Sequence, residues 1–169
     1  MEIKIVEPWL PYNERKKPLT GIILHHTAGG TAESSIDYMR SLQSPNRASY
    51  HYIVDRDGTV FKCVPVSKRA WHAGSSVGKY GDDVNSQTVG ISFANLGNGE
   101  AYPSVQVQAA HDLVDTLCRA QPGIEWISTH RLITDRKIDP ASFGFRQFCS
   151  QHPRLEMWMD ASLNRGWDG

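Results

Sequence analysis

Apolar positions along this chain come in short bursts separated by turn residues, with two stretches of helical spacing between them. Gly21-Ile22-Ile23-Leu24-His25-His26-Thr27 opens apolar and β-branched and stops at Gly29-Gly30, which predicts a buried strand. Thr31 or Ser34 is placed to cap a helix running to about Leu42, with Ile36, Met39 and Leu42 on one face. Residues 49–55 read as the next strand. Arg56-Asp57-Gly58-Thr59 is turn chemistry, and Val60 to Val64 returns as the second arm of a hairpin. A Gly-rich polar stretch over 74–86 predicts a surface loop, and 89–94 a further strand. Residues 104–120 carry Val107, Ala110, Leu113, Val114 and Leu117 at amphipathic helical spacing. A short strand is predicted at 124–128 and a last helix over 145–163. Strands interleaved with helices define an α/β fold, a central mixed β-sheet flanked by helices, because the hairpin adds an antiparallel pair.

Composition narrows the classes without choosing among them. The 169 residues are 40% hydrophobic and 21% charged, which is ordinary globular chemistry and fits one domain over 1–169. Lys plus Arg equals Asp plus Glu at 18 each, so no global field draws the chain to nucleic acid or to an anionic membrane. No stretch approaches the roughly 18 apolar residues of a membrane span, so no stable membrane association is expected. The amino terminus lacks the apolar core of a secretory signal, and synthesis in the cytoplasm is expected. Cys63, Cys118 and Cys149 are odd in number and widely spaced, which predicts buried free thiols rather than a disulfide scaffold. The run Glu14-Arg15-Lys16-Lys17, between Pro11 and Pro18, reads as a solvated loop.

Seven histidines raise the question of a metal. His25 ends a buried strand, where a polar side chain must find a partner. His130 leaves a strand in the same way, and Asp139 lies nine residues further on, before Pro140. Two imidazoles and a carboxylate with one open position are the ligand set of a catalytic zinc. Spacing alone does not single them out, since no local signature such as H-E-x-x-H is present. His26 and His51 read as satisfied core histidines, His111 as solvent-facing or partly packed, and His152 as surface. Trp71 and His72 are open between packing and substrate contact.

Four segments carry a resemblance: IILHHTAGG, SYHYIVDRDGTVFKCVPVSKRAWHAG, NSQTVGISFANLG and THRLITDRKIDP. In this order, from about Gly21 to Pro140, they resemble the zinc-dependent N-acetylmuramoyl-L-alanine amidases, a family that includes bacterial and phage amidases and the animal peptidoglycan recognition proteins. The resemblance implies Zn2+ at His25, His130 and Asp139. It implies a catalytic role for Tyr50 and Lys137, and substrate contact at Trp71, His72 and Ser92. Tyr50 and Lys137 suit that role chemically, because a phenol and an ammonium both stabilise charge growing on a carbonyl oxygen. One position departs from many bacterial members: Ser92 stands where they have a Glu general base. The implied activity is hydrolysis of the amide between N-acetylmuramic acid and L-alanine, with peptidoglycan or a muropeptide as the partner and a monomer expected. A lytic, phage endolysin setting and a wall-recycling setting are both open, as are a peptidoglycan-binding module and an amidase of another small amide.

Overall fold

The computed structural model describes residues 1–169. Its elements in chain order are β1 (Ile3–Ile5), β2 (Tyr12–Glu14), β3 (Gly21–His26), α1 (Ala32–Ser41), β4 (Tyr52–Val54), β5 (Val60–Lys62), β6 (Lys68–Ala70), α2 (Val84–Gln87), β7 (Thr88–Phe93), α3 (Ser104–Ala120), β8 (Trp126–Thr129), α4 (Phe145–Cys149) and β9 (Glu156–Met157). Seven strands form one sheet in the order β1-β5-β4-β7-β3-β8-β9, and β2 pairs with β6 in a second, two-stranded sheet. In the large sheet only β4 and β5 run antiparallel, as the hairpin required; every other pair is parallel. The expected mixed sheet is therefore present.

Helices cover both faces of this sheet. Tyr52 and Val54 join the large core beneath α3, whereas Ile53 between them joins the cluster under α1 with Ile36, Met39 and Phe61. That alternation is the period of two of an extended strand. The central strands β3 and β7 are covered on both sides, which is why β3 reads as a continuous apolar run rather than an alternating one. Thr31 caps α1, accepting from Ser34 N–H while the Ser34 hydroxyl closes the reciprocal bond. In the β4–β5 turn Gly58 sits at φ +89°, a conformation that favours glycine. At the start of β3, a Cβ on Gly21 would lie 2.3 Å from the Trp126 ring, so only glycine admits that ring.

Several expectations change. The helix predicted over 145–163 is short: α4 ends at Cys149, and the chain then extends into β9 beside β8. Pro153 explains the stop, since it has no N–H to donate and steers His152 away from helical backbone. The 74–86 loop contains the one-turn helix α2 at its end. His152 and His111 are buried, not surface. Their rings are bonded at 2.8 Å, His152 Nδ1 meets Asp115 at 3.1 Å, and His111 stacks on Phe148. Arg15 is not a solvated loop charge. Its guanidinium enters the protein and donates to the carbonyls of Val66, Asn85, Ser86 and Thr88. All three cysteines are free and buried, as expected. No helix is long and apolar enough to cross a membrane.

Candidate metal centre

Parallel pairing of β3 with β8 brings the site together. The register aligns Leu24 with Thr129, and His25 and His130 are the next residue on each chain. Both imidazoles therefore emerge at the carboxyl ends of adjacent parallel strands, where open α/β sheets place their ligand crevices. The 131–139 loop returns to the same point, held by a bond from Arg131 N–H to Asp139 O at 3.0 Å.

His25, His130 and Asp139 are all buried, and their donor atoms converge. His25 Nδ1 lies 3.2 Å from His130 Nδ1 and 3.0 Å from Asp139 Oδ2. His130 Nδ1 lies 3.3 Å from Oδ2 and 3.1 Å from Oδ1. Tetrahedral zinc with bonds of ~2.0–2.1 Å holds its ligand atoms about 3.3–3.4 Å apart, so the observed separations nearly match. The other nitrogen of His130 decides its tautomer. Nε2 faces Ala73 O at 3.1 Å, and a carbonyl only accepts, so Nε2 carries the proton and Nδ1 turns a lone pair inward beside the carboxylate. Lone pairs from two imidazoles and a carboxylate suit a cation, and the donor set fits zinc.

Electrostatics agree with neutral imidazole and ionised carboxylate. Burial lowers the His25 pKa to about 4, against the opposing hydrogen bond to Asp139. Burial alone would raise the Asp139 carboxyl, but hydrogen bonds from His130 and His25 hold it well below the usual carboxylate range. Burial, and then the Asp139 charge, push the Tyr50 phenol well above its ordinary value, so it stays a hydrogen-bond donor.

His130 and Asp139 lie on the wall of a cavity of about 510 Å³, which also carries Tyr50, Trp71, His72 and Lys137, while His25 is fully buried beside them. That volume is ample for a small-molecule ligand. Tyr50 stacks obliquely on His25 with ring centroids 5.0 Å apart. Lys137 is exposed, and its carbonyl accepts from Arg165. Trp71 is half-buried, its indole N–H bonded to Asn13 and the Arg47 guanidinium 5.4 Å over its ring. His72 is buried beside His25, both ring nitrogens facing protein partners. Ser92 does not reach the wall; it is fully buried in β7, opposite His25 in the pairing, and its hydroxyl has no aligned partner. His51 is a bonded core histidine, accepting at Nδ1 from Gly90 N–H and donating from Nε2 to Lys68 O. His26 is only half-buried and reaches the wall, its Nδ1 accepting from Ala141 N–H.

Two wall residues escaped the sequence reading. Arg47 and Arg136 join Lys137 around an opening whose only carboxylate is Asp139. Arg136 also pins the 73–75 segment by donating to Ser75 O at 2.7 Å. Arg136 adjoins Lys137 in a segment already singled out, whereas nothing near Arg47 marks it, because a loop remote in the chain brings it there. A second cavity of about 360 Å³, towards α1, shares Thr27, Ala28, Ala48 and Tyr50 with the first.

A sheet with helices on both faces, carrying a two-imidazole, one-carboxylate cluster at its strand ends, has the build of a metal hydrolase. Comparison with known families gives the particular class: residues 15–142 match the N-acetylmuramoyl-L-alanine amidases, and the chain belongs to that family. The 1,6-anhydro-N-acetylmuramyl-L-alanine amidase AmpD of Salmonella typhimurium is 36% identical over 105 residues, 60% of this chain. The chain spans 56% of that protein's length. The Escherichia coli AmpD is 32% identical over the same number of residues. A crystal structure of a selenomethionine AmpD derivative superposes with a TM-score of 0.77 at 27% identity, covering 89% of this chain and 94% of that one. The fold also matches the Drosophila peptidoglycan recognition protein SA, with a TM-score of 0.68 at 17% identity, covering 91% of this chain and 93% of that one.

Proposed function

We propose that the chain is a zinc amidase that hydrolyses the bond between the lactyl group of N-acetylmuramic acid and L-alanine, taking peptidoglycan fragments as substrate. One observation carries the reading: three buried donor atoms, 3.0–3.3 Å apart, two of them from residues on the wall of a cavity large enough for a muropeptide end. His25, His130 and Asp139 would hold the zinc, which would supply Lewis acidity and lower the pKa of water towards neutrality.

The protein's own groups do the rest. The Tyr50 phenol, protonated at any working pH, donates towards the oxygen on which charge grows. Lys137 adds a cation on the same wall, and its exposure lets the ammonium follow the substrate. Asp139 would hold the metal and is the only carboxylate on the wall, so no second carboxylate is placed there for proton transfer. Ser92, buried away from the wall, takes no part in that transfer. Arg47, Arg136 and Lys137 give the opening a positive character that favours a carboxylate-bearing stem peptide.

Support for the muramoyl amide comes from the family match and from the AmpD relatives, whose names specify a 1,6-anhydro-muramyl substrate. The expected result is about one zinc per chain, and release of L-alanine amino groups from anhydro-muropeptides without new sugar reducing ends. Alanine at His25, His130 or Asp139 should remove the metal or the activity. Undiminished zinc and rate in all three variants would refute the assignment. Parallel assays on free anhydro-muropeptides and on intact walls separate a recycling enzyme from a lytic one.

A further inference from the structure

A neutral imidazole offers a metal one nitrogen, and the proton on the other nitrogen needs an acceptor. For His130 that acceptor is a backbone carbonyl, Ala73 O. For His25 it is a side chain: Nε2 lies 2.9 Å from Nδ1 of His72. A ring nitrogen donates or accepts according to its tautomer, so His72 settles nothing unless its own proton is placed. Thr88 places it. The Thr88 hydroxyl has one proton and donates it to Val84 O at 2.8 Å. Towards His72 Nε2, 3.3 Å away, Thr88 Oγ1 then has only lone pairs, so Nε2 must carry the His72 proton. His72 Nδ1 is left bare and accepts from His25 Nε2–H, so His25 Nδ1 can offer its lone pair to a metal held between it, His130 Nδ1 and Asp139 Oδ2.

The surroundings hold this chain of bonds in place. The backbone N–H groups of His72 and Ala73 both donate to Asn85 Oδ1, at 3.0 and 2.8 Å. The His72 ring fills the space over Gly90, where a Cβ would lie 2.5 Å from its Cγ. The edge of that ring also meets His51, 5.8 Å between centroids.

We infer that His72 and Thr88 are positioning residues, which hold His25 in its metal-ready tautomer through the relay Val84 O, Thr88, His72, His25. The inference rests on the zinc reading above. It also separates the two histidine ligands: a backbone carbonyl fixes His130, whereas a side-chain relay open to substitution fixes His25.

The test uses His72→Phe, which keeps a ring without nitrogens, and His72→Asn, whose side-chain oxygen replaces the Nδ1 acceptor. Thr88→Val and Thr88→Ser probe the next link. Two quantities are read on folded protein: the zinc dissociation constant by chelator competition, and the histidine tautomers of the zinc-loaded protein from long-range 15N spectra above neutral pH. His72→Phe should weaken zinc by about 10–100-fold, the usual effect of losing a partner that orients a ligand. Thr88→Val should weaken it less, while His72→Asn and Thr88→Ser should restore most of the loss. In the zinc-loaded wild type the His25 proton should sit on Nε2 and the His72 proton on Nε2, leaving His72 Nδ1 bare. Wild-type zinc affinity in His72→Phe would overturn the inference, as would a zinc-loaded His72 protonated at Nδ1, or His72→Asn binding zinc as weakly as His72→Phe. If His72→Phe does not fold, Thr88→Val against Thr88→Ser decides by the same two readouts. A wild type that takes up no zinc refutes the proposed function and the relay with it, whereas wild-type zinc uptake with unchanged affinity in His72→Phe refutes the relay alone.

Discussion

Arg15→Leu tests whether a buried cation without a carboxylate partner organises the floor beneath the site. The guanidinium donates to Ser86 O at 2.8 Å, Thr88 O at 3.0 Å and Val66 O at 2.8 Å, and lies 3.1 Å from His51 Nε2. Burial, and then the nearby charge of Arg69, lower its pKa to about 10, so it remains a cation at neutral pH. Leucine fills part of the volume and supplies no donor. Each buried carbonyl stripped of its donor costs about 1–3 kcal/mol. Ser86 and Thr88 are fully buried, so their carbonyls cannot turn to solvent, whereas the partly exposed Val66 can. Two stranded carbonyls, less the recovered desolvation of the guanidinium, give a loss of about 1–4 kcal/mol, a sizeable share of the 5–15 kcal/mol of a typical domain. Arg15→Lys should lose roughly half as much, since an ammonium keeps the charge but not the fork that spans both sides. Urea unfolding followed by tryptophan fluorescence measures this, with the m-value expected to hold. A loss under about 1 kcal/mol for Arg15→Leu would show that water replaces the guanidinium and that the bonds do not organise the floor.

Other predictions follow from the site and its packing. Tyr50→Phe and Lys137→Ala should each keep zinc and fold but lose about 10²–10³ in kcat, the scale for one oxyanion donor; a near-wild-type rate for both would end this account of the transition state. Metal-free protein should lose stability as pH falls. The folded pKa values of His51, about 3, and His25, about 4, both lie below the unfolded 6.5, so the unfolded chain binds more protons between these limits. Their contribution is full above pH 6.5 and is lost towards pH 4 and then 3, with a slope approaching about 1.4 kcal/mol per pH unit for each group; Asp139, also depressed, adds loss in the same direction below its usual value. Urea midpoints at successive pH values check this, and a flat profile would contradict it. Gly21→Ala should destabilise by about 1–3 kcal/mol, because the added Cβ would lie 2.3 Å from the buried, rigid Trp126 ring. A thermal midpoint equal to wild type would mean that β3 and β8 part without cost.

Much of the local structure was legible in the chain. The buried strand at β3, the Thr31-capped helix, the hairpin around Gly58 and the helix over 104–120 all stand where apolar period, capping residue and turn chemistry put them. Such features depend on neighbours two to four residues away, which a sequence displays directly. The candidate ligands were reached differently. Strand-end placement suggested His25 and His130, but it was the resemblance of four whole segments that joined them to Asp139.

Only the tertiary structure decided what lies beside what. His25 and His130 are 105 residues apart, and they meet because β3 and β8 pair in parallel with Leu24 opposite Thr129. Ser92 and His72 have their places for the same reason. Pairing sets Ser92 inside the sheet opposite His25, and bare Gly90 leaves room for the His72 ring behind the site. Arg15 looked like one charge in a solvated run, and His111 and His152 looked peripheral. Each is buried against a partner at least 36 residues away. A polar side chain enters a protein only where hydrogen bonds replace its water, and those partners come from segments that composition and period cannot bring together. Local pattern could therefore name the elements, while the burial of a charge or an imidazole waited on the fold that supplies its partner.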